Sequence, residues 1–94
     1  MTHKEPMRVL LVEDNLHDIE ITQRAFSKGQ VQVELVVARY GQDALDYLNH
    51  RGSFHPPDTS PRPAIILLDL NLPRMNGLEV LKKIKEDPHL RSIP

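Results

Sequence analysis

Residues 8–15 read RVLLVEDN, a continuously apolar run that ends in the acids Glu13 and Asp14. Apolarity without alternation is typical of a strand that is covered on both faces, as strands are in parallel sheets. After Asn15 the apolar side chains follow a helical spacing as far as Phe26, and acids lie in the first turn, where they favour the helix dipole. The stretch therefore predicts a buried strand that runs directly into a helix, with its acids at the junction.

The same change of period occurs twice more along the chain. Residues 33–38 read VELVVA and residues 64–68 read AIILL, and both are predicted to be strands. Short helices are predicted over residues 44–48 and 78–84, while the Pro-rich stretch 51–63 predicts a long surface loop without a regular element. The order β-α-β-α-β-α predicts an α/β fold with a parallel sheet and right-handed crossovers.

The composition narrows the class of protein before any motif is considered. The chain has 94 residues, a formal net charge of −1, a pI of about 6.5 and no cysteine. A near-neutral charge gives no general attraction to nucleic acid or anionic membrane, and a chain without cysteine has no disulfide and no thiolate metal ligand. The N-terminus lacks the apolar core of a signal peptide, and the longest apolar run, residues 64–68, is too short to span a bilayer. We expect a single cytoplasmic domain with no nucleic acid or membrane partner.

Acidic side chains follow two of the predicted strands. Glu13 and Asp14 come after the first strand and Asp69 after the third, with Asn71 two residues further on. Ligands of parallel α/β sheets bind at the carboxyl ends of the strands, so the three carboxylates converge if these two strands are neighbours. Clustered carboxylates repel unless a cation lies among them, and an all-oxygen set suits Mg²⁺ and phosphoryl transfer. A lone Asp after a strand is more often a turn residue or a helix cap, so on chemistry alone both interpretations stay open.

Three segments of the chain resemble response regulator receiver domains. They are LLVEDN at residues 10–15, DAL at residues 43–45 and LLDLNLPRMNG at residues 67–77. Each alone is a weak signal, but the three occur in the family's order and close to its spacing. The resemblance covers the chain from about Met7 to Pro94. It is nearest to small stand-alone receivers that partner phytochrome-like or other sensor histidine kinases.

The resemblance implies a fold, a function and a set of roles. The fold is a flavodoxin-like, doubly wound (βα)5 sheet, of which this chain holds the first three β-α units in strand order 2-1-3. The function is to accept a phosphoryl group from a histidine kinase or phosphotransfer protein and to relay the signal, with no catalysis beyond its own phosphorylation and dephosphorylation. The implied roles are phosphoacceptor for Asp69, Mg²⁺ ligands for Asp14, Asp69 and the Asn71 backbone carbonyl, a water-mediated Mg²⁺ contact for Glu13, and loop shaping for Pro73 and Gly77.

Two features of the family pattern have no counterpart in this chain. The resemblance implies a Ser or Thr after a fourth strand and a Lys after a fifth, but the sequence stops at residues 92–94, which resemble the lead-in to the fourth strand. Lys82, Lys83 and Lys85 do not replace that Lys, because their spacing predicts the solvated face of the third helix. We expect residues 1–94 to be one receiver domain that is truncated before the fourth strand. Its third strand would then be an apolar edge open to self-association.

Two other functions are weighed against this interpretation. A receiver fragment without a working switch would serve only as an assembly or dimerisation module; the intact Glu13, Asp14 and Asp69 argue against it, and the absent C-terminal half argues for it. An aspartate-nucleophile phosphohydrolase also phosphorylates an Asp after a buried strand. That class usually needs a second acid two residues later, where this chain has Asn71, and its nucleophile usually follows the first strand.

Overall fold

The computed structural model describes residues 6–29, 32–54 and 61–94. The strands and helices alternate as the sequence predicts, and a single turn of 3-10 helix is added in the Pro-rich stretch. Their bounds are β1 Met7–Val12, α1 Leu16–Ser27, β2 Val33–Ala38, α2 Gly41–Leu48, the 3-10 turn Gly52–Phe54, β3 Ile65–Leu68 and α3 Gly77–Glu86.

The three strands form one parallel sheet in the order β2-β1-β3, so the predicted order is confirmed. Val9 of the central strand is in register with Leu35 on one side and Ile65 on the other. Residues 9–12 are all buried, which is why their sequence is apolar without alternation. The central position of β1 places the end of β1 beside the end of β3.

The main core lies between the sheet and helices α2 and α3. Leu10 and Val12 of β1 pack there with Leu45 of α2 and with Val80 and Ile84 of α3. Side chains of a strand alternate between faces, so Val9 and Leu11 are directed to the opposite face. Helix α1 contacts β2 and buries Ile19. In α2 and α3 the buried positions recur every three or four residues, which is the spacing of one helix face.

Side-chain caps begin the two helices that follow the acidic segments. Asn15 Oδ1 accepts hydrogen bonds from the backbone N–H of His17 at 2.9 Å and of Asp18 at 3.1 Å. Asn76 Oδ1 accepts from the Leu78 N–H at 2.8 Å. Asn is a preferred N-cap because its side chain satisfies N–H groups that have no partner inside the helix. Both helices therefore start close to the carboxyl ends of the strands.

Two sequence-based boundaries are corrected by the structure. Helix α2 begins at Gly41, three residues before the predicted start, with Tyr40 as the residue before it. The prediction that the Pro-rich stretch holds no regular element is wrong at Gly52–Phe54, and residues 55–60 of that stretch lie outside the described residues. The buried Tyr47 donates from its hydroxyl to the Pro61 carbonyl at 2.7 Å, so this contact fixes the chain where it returns toward β3.

The outer edge of β3 is not bare along its whole length. The Ile66 N–H donates to a main-chain oxygen of Pro94 at 2.9 Å, and Ile93 is buried. The exposed Lys82, Lys83 and Lys85 lie on the solvated face of α3, as predicted. Self-association through this edge stays a prediction. Among the described helices, none has both the length and the apolar character needed to cross a membrane.

Candidate functional site

The sheet ladder carries the three acids to one edge of the sheet. Beyond the last strand residues, the Asp69 N–H donates to the Val12 carbonyl and the Glu13 N–H donates to the Ala38 carbonyl, each at 3.0 Å. These bonds continue the parallel pairing of β1 with both neighbours. The backbone at the acids is therefore held by the same hydrogen bonds as the sheet, and a rigid element supports the site.

The predicted convergence of the three carboxylates is present. One carboxylate oxygen from each of Glu13, Asp14 and Asp69 lies within 4.8 Å of the other two, and all three residues are half-buried. An all-oxygen donor set of this kind fits a hard divalent cation such as Mg²⁺. A cation at this place would also offset the mutual repulsion of the carboxylates. The residues present therefore fit the metal that the sequence predicts.

Two of the acids are oriented by short local hydrogen bonds. Glu13 Oε1 accepts from the Asn15 N–H, and Asp69 Oδ1 accepts from the Asn71 N–H, each at 3.0 Å. Such turns hold a carboxylate close to its own backbone. Asn71 is thus tied to Asp69 through its N–H, while the role of its carbonyl as a metal ligand stays a prediction.

A glycine lies directly behind the Asp69 backbone. The Gly77 N–H donates to the Leu70 carbonyl at 3.3 Å. A Cβ at Gly77 would lie 2.3 Å from the Asp69 carbonyl oxygen and 2.5 Å from the Leu70 Cα. No other residue fits at this close approach of two backbones. The loop from Pro73 to Gly77 is tightened further by a bond from the Met75 N–H to the Pro73 carbonyl at 2.7 Å.

Burial raises the pKa of Glu13 above its ordinary value of 4.5. The hydrogen bond from the Asn15 N–H opposes this shift, and the neighbouring Asp69 charge adds to it. Both the desolvation and the like charge disfavour the ionised carboxylate. The folded protein therefore holds the Glu13 proton to a higher pH than the unfolded chain does.

Glu13→Gln is expected to gain stability over the wild type as the pH rises, when both are measured without divalent cation. Below the pKa that Glu13 has in the unfolded chain, its carboxyl is protonated in both the folded and the unfolded state, and the two proteins should have similar stability. Between 4.5 and the raised folded value the wild type loses stability, because its unfolded state releases the proton first. Melting temperatures in a chelator from about pH 4 to pH 7 measure the difference.

Glu86→Gln is the matched control for this pH dependence, because it removes an exposed acid at the far end of α3. It is not expected to gain on the wild type over the same range. A Glu13→Gln difference that stays constant or shrinks with rising pH would contradict the electrostatic description of the site.

Three residues beside the site were not found from the sequence. Arg39 donates from Nη2 to the Asp14 carbonyl at 3.2 Å, and the Arg74 guanidinium carbon lies 4.8 Å from the centre of the Tyr40 ring. Part of the signal was available, because Arg39 directly follows β2 and β2 ends beside Glu13. The sequence does not reveal which way a long side chain turns, so these contacts needed the structure.

Comparisons with known proteins agree with this geometry. The family model for the response regulator receiver domain matches residues 9–94. Response regulator Rcp1 from Synechocystis sp. is 42% identical over 89 residues, which are 95% of this chain and 58% of Rcp1. A solved form of Rcp1 has Mn²⁺ bound; it superposes with a TM-score of 0.87 at 42% identity over 95% of this chain and 62% of that one. The chain thus spans about three-fifths of the length of this relative.

Two phytochrome response regulators are equally similar in structure. The bacteriophytochrome response regulator AtBRR superposes with a TM-score of 0.87 at 52% identity over 97% of this chain and 64% of that chain. The phosphorylated cyanobacterial phytochrome response regulator RcpA superposes with a TM-score of 0.87 at 43% identity over 96% of this chain and 62% of that chain. With the acids gathered at the sheet edge and the family model matched over nearly the whole sequence, the chain belongs to the response regulator receiver domain family.

Proposed function

We propose that this chain accepts a phosphoryl group on Asp69 from a phosphohistidine of a sensor histidine kinase or phosphotransfer protein, and relays that signal. The observation that carries the proposal is the gathering of Glu13, Asp14 and Asp69 within 4.8 Å at the carboxyl edge of the sheet. Solved relatives support it, because one is a phosphorylated form and another is a Mn²⁺-bound form. The kinase partner we favour is of the phytochrome type, as the names of the relatives indicate.

The reaction follows from the chemistry of a carboxylate nucleophile. An oxygen of Asp69 attacks phosphorus in line with the phosphohistidine nitrogen, the P–O bond forms, and the P–N bond breaks. The imidazole leaves with the bonding electrons and takes a proton from solvent. Water later attacks the phosphorus and breaks that P–O bond, which returns the Asp69 carboxylate and releases inorganic phosphate. The protein catalyses only its own phosphorylation and dephosphorylation.

The residues around Asp69 take separate roles in this proposal. Asp14, Asp69 and the Asn71 carbonyl would hold Mg²⁺ directly and Glu13 would contact it through water, so that the bound ion neutralises charge on the phosphoryl oxygens. The Asn71 N–H, 3.0 Å from Asp69 Oδ1, orients the nucleophile. Pro73 and Gly77 shape the loop beneath it. The cytoplasmic location predicted from the sequence goes with this proposal and stays a prediction.

Incubation with a small phosphodonor such as acetyl phosphate and Mg²⁺ tests the proposal. We expect a mass gain of about 80 Da, the mass of one phosphoryl group, and expect it to be absent in Asp69→Asn and in a chelator. Asp43→Asn is the matched control, because it removes an exposed acid from the first turn of α2 and should leave the gain intact.

Two other results would count against the proposal. A gain that persists in Asp69→Asn would place the phosphoryl group on another residue. Continued turnover of many phosphoesters per protein molecule would favour the phosphohydrolase interpretation.

A further inference from the structure

The corner between β2 and α2, residues 39–41, contacts both of the loops that carry the acids. Arg39 reaches the loop after β1, where its guanidinium donates to the Asp14 carbonyl at 3.2 Å. Tyr40 reaches the loop after β3, where its ring lies 4.8 Å from the Arg74 guanidinium carbon. Adjacent residues of one short corner therefore connect the segment of one acid with the segment of the other.

Gly41 brings this corner close to the loop after β3. A Cβ at Gly41 would lie 2.6 Å from Val80 Cγ2 and 3.2 Å from the Cβ and Sδ of Met75. The first turn of α2 thus packs against α3 and its preceding loop with no space for a side chain between them. Because β2 is fixed to β1 by the sheet ladder, the corner has a rigid support on one side and close packing on the other.

The backbone of Arg74 supports a specific role for its contact with Tyr40. Arg74 has a φ of 67°, in the left-handed region that residues other than glycine adopt at a cost. A glycine would take this conformation freely. The arginine instead places its guanidinium over an aromatic ring, where a cation is attracted by the face of the ring. Strain retained at one residue of a site loop is typical of a functional constraint.

We infer that Arg39 and Tyr40 are positioning residues that set the distance between Asp14 and Asp69, and thereby the affinity of the acidic site for a divalent cation. The inference rests on the proposed function, which requires that cation. Neither residue touches the phosphoryl group or the metal in this account. Arg39 acts through the Asp14 backbone, and Tyr40 acts through Arg74 and the loop that follows Asp69.

The direction in which substitution of Arg39 changes the cation affinity separates a positioning role from a purely electrostatic one. Arg39 is a cation beside a cation site, so its charge alone weakens the binding of a second cation. If charge were its only effect, Arg39→Met would bind Mn²⁺ more tightly than the wild type. If Arg39 holds Asp14 in place, its loss weakens binding, since residues that orient metal ligands typically change affinity about tenfold or more.

Calorimetric titration of the full chain with Mn²⁺ alone measures this sign. We expect Arg39→Met to bind about tenfold more weakly than the wild type. Arg39→Lys keeps the charge without the planar guanidinium and is expected to recover little of the affinity. Arg24→Met is the matched control, because Arg24 is exposed on α1 and pairs with Glu20 rather than with the site; its affinity should stay near that of the wild type.

A double-mutant cycle tests the second contact independently of the first. Tyr40→Leu and Arg74→Met should each weaken Mn²⁺ binding by about threefold, and the double variant should be no weaker than either, because both remove the same interaction. Arg74→Gly relieves the left-handed backbone while it removes the guanidinium. It should therefore raise the melting temperature relative to Arg74→Met without restoring the cation affinity.

Three results would contradict the inference or the function on which it rests. The inference for Arg39 is overturned if the Arg39→Met variant binds Mn²⁺ as tightly as the wild type, or more tightly. Lower melting temperatures with unchanged Mn²⁺ affinity in the Tyr40 and Arg74 variants would mean a structural role alone, and would overturn it for Tyr40. A wild type that binds no Mn²⁺ in the millimolar range would instead remove the proposed function, and this inference with it.

Discussion

Gly77→Ala is expected to lower the free energy of unfolding by about 2 kcal/mol or more, which corresponds to a fall in melting temperature of roughly 10 °C for a domain of this size. The new Cβ would lie 2.3 Å from the Asp69 carbonyl oxygen and 2.5 Å from the Leu70 Cα. Both neighbours are backbone atoms next to the end of β3, so neither can rotate out of the way. The chain must separate α3 from the loop after β3, and this displaces Asp69.

Two measurements follow from this displacement. Thermal melts should show the loss of stability, and Mn²⁺ titration of whatever fraction remains folded should show weaker binding than in the wild type. Gly52→Ala is the control: it is strained by a φ of +60°, but its nearest neighbour, Asp46 Oδ2, would lie at an ordinary 3.7 Å. Gly52→Ala should lower the free energy of unfolding by about 1 kcal/mol without changing the affinity for Mn²⁺. A Gly77→Ala protein with the stability of the wild type would contradict the close approach seen at this glycine.

The Asp14→Asn variant is expected to be more stable than the wild type without divalent cation and less stable than the wild type in Mg²⁺. Without divalent cation the variant should be more stable than the wild type by roughly 0.5–1 kcal/mol, because one of three like charges within 4.8 Å is removed. With Mg²⁺ at about a hundred times the wild-type dissociation constant, the wild type gains about 2.7 kcal/mol from binding. The variant lacks one of the proposed carboxylate ligands and should gain far less, so the two melting curves should exchange places.

Melts of both proteins in a chelator and in Mg²⁺ measure this exchange. Asp43→Asn serves as the control, since it removes an exposed acid on α2 and should respond to Mg²⁺ as the wild type does. Equal stabilisation of Asp14→Asn and the wild type by Mg²⁺ would show that the cation binds elsewhere. A variant less stable than the wild type in the chelator would contradict the repulsion among the three acids.

The sequence was sufficient for the sheet and for the place of the acids. The apolar run of residues 9–12 predicts a strand covered on both faces, and β1 is indeed the central strand with those residues buried. Because parallel strands end at the same edge of a sheet, the convergence of Glu13, Asp14 and Asp69 followed once β1 and β3 were taken as neighbours. Apolar patterning predicts the strands and the rule for strand ends predicts where the acids lie, whereas the order that makes β1 and β3 neighbours was implied by the resemblance to receiver domains.

The contacts that support the acids could not be predicted in the same way. Gly41 lies outside the helix predicted over residues 44–48, and its place as the first residue of α2 brings it against Val80 and Met75. Asn76 precedes the helix predicted over residues 78–84 and was not predicted to be its cap, although Asn before an amphipathic run is a recognisable helix N-cap. Arg39 lies 25 residues from Asp14 in the chain, so only the fold brings them together.

Reductive trapping can identify which residue carries the phosphoryl group, and the proposed function requires this residue to be Asp69. Borohydride reduces an aspartyl phosphate, but not a phosphorylated hydroxyl or imidazole, to homoserine. The protein is phosphorylated with acetyl phosphate and Mg²⁺, reduced, digested and analysed by peptide mass spectrometry. We predict homoserine at position 69 in the peptide that contains residues 67–77, and none when Mg²⁺ is chelated. Homoserine at any other aspartate, or a phosphorylated protein with residue 69 unchanged, would contradict the role of Asp69 as phosphoacceptor.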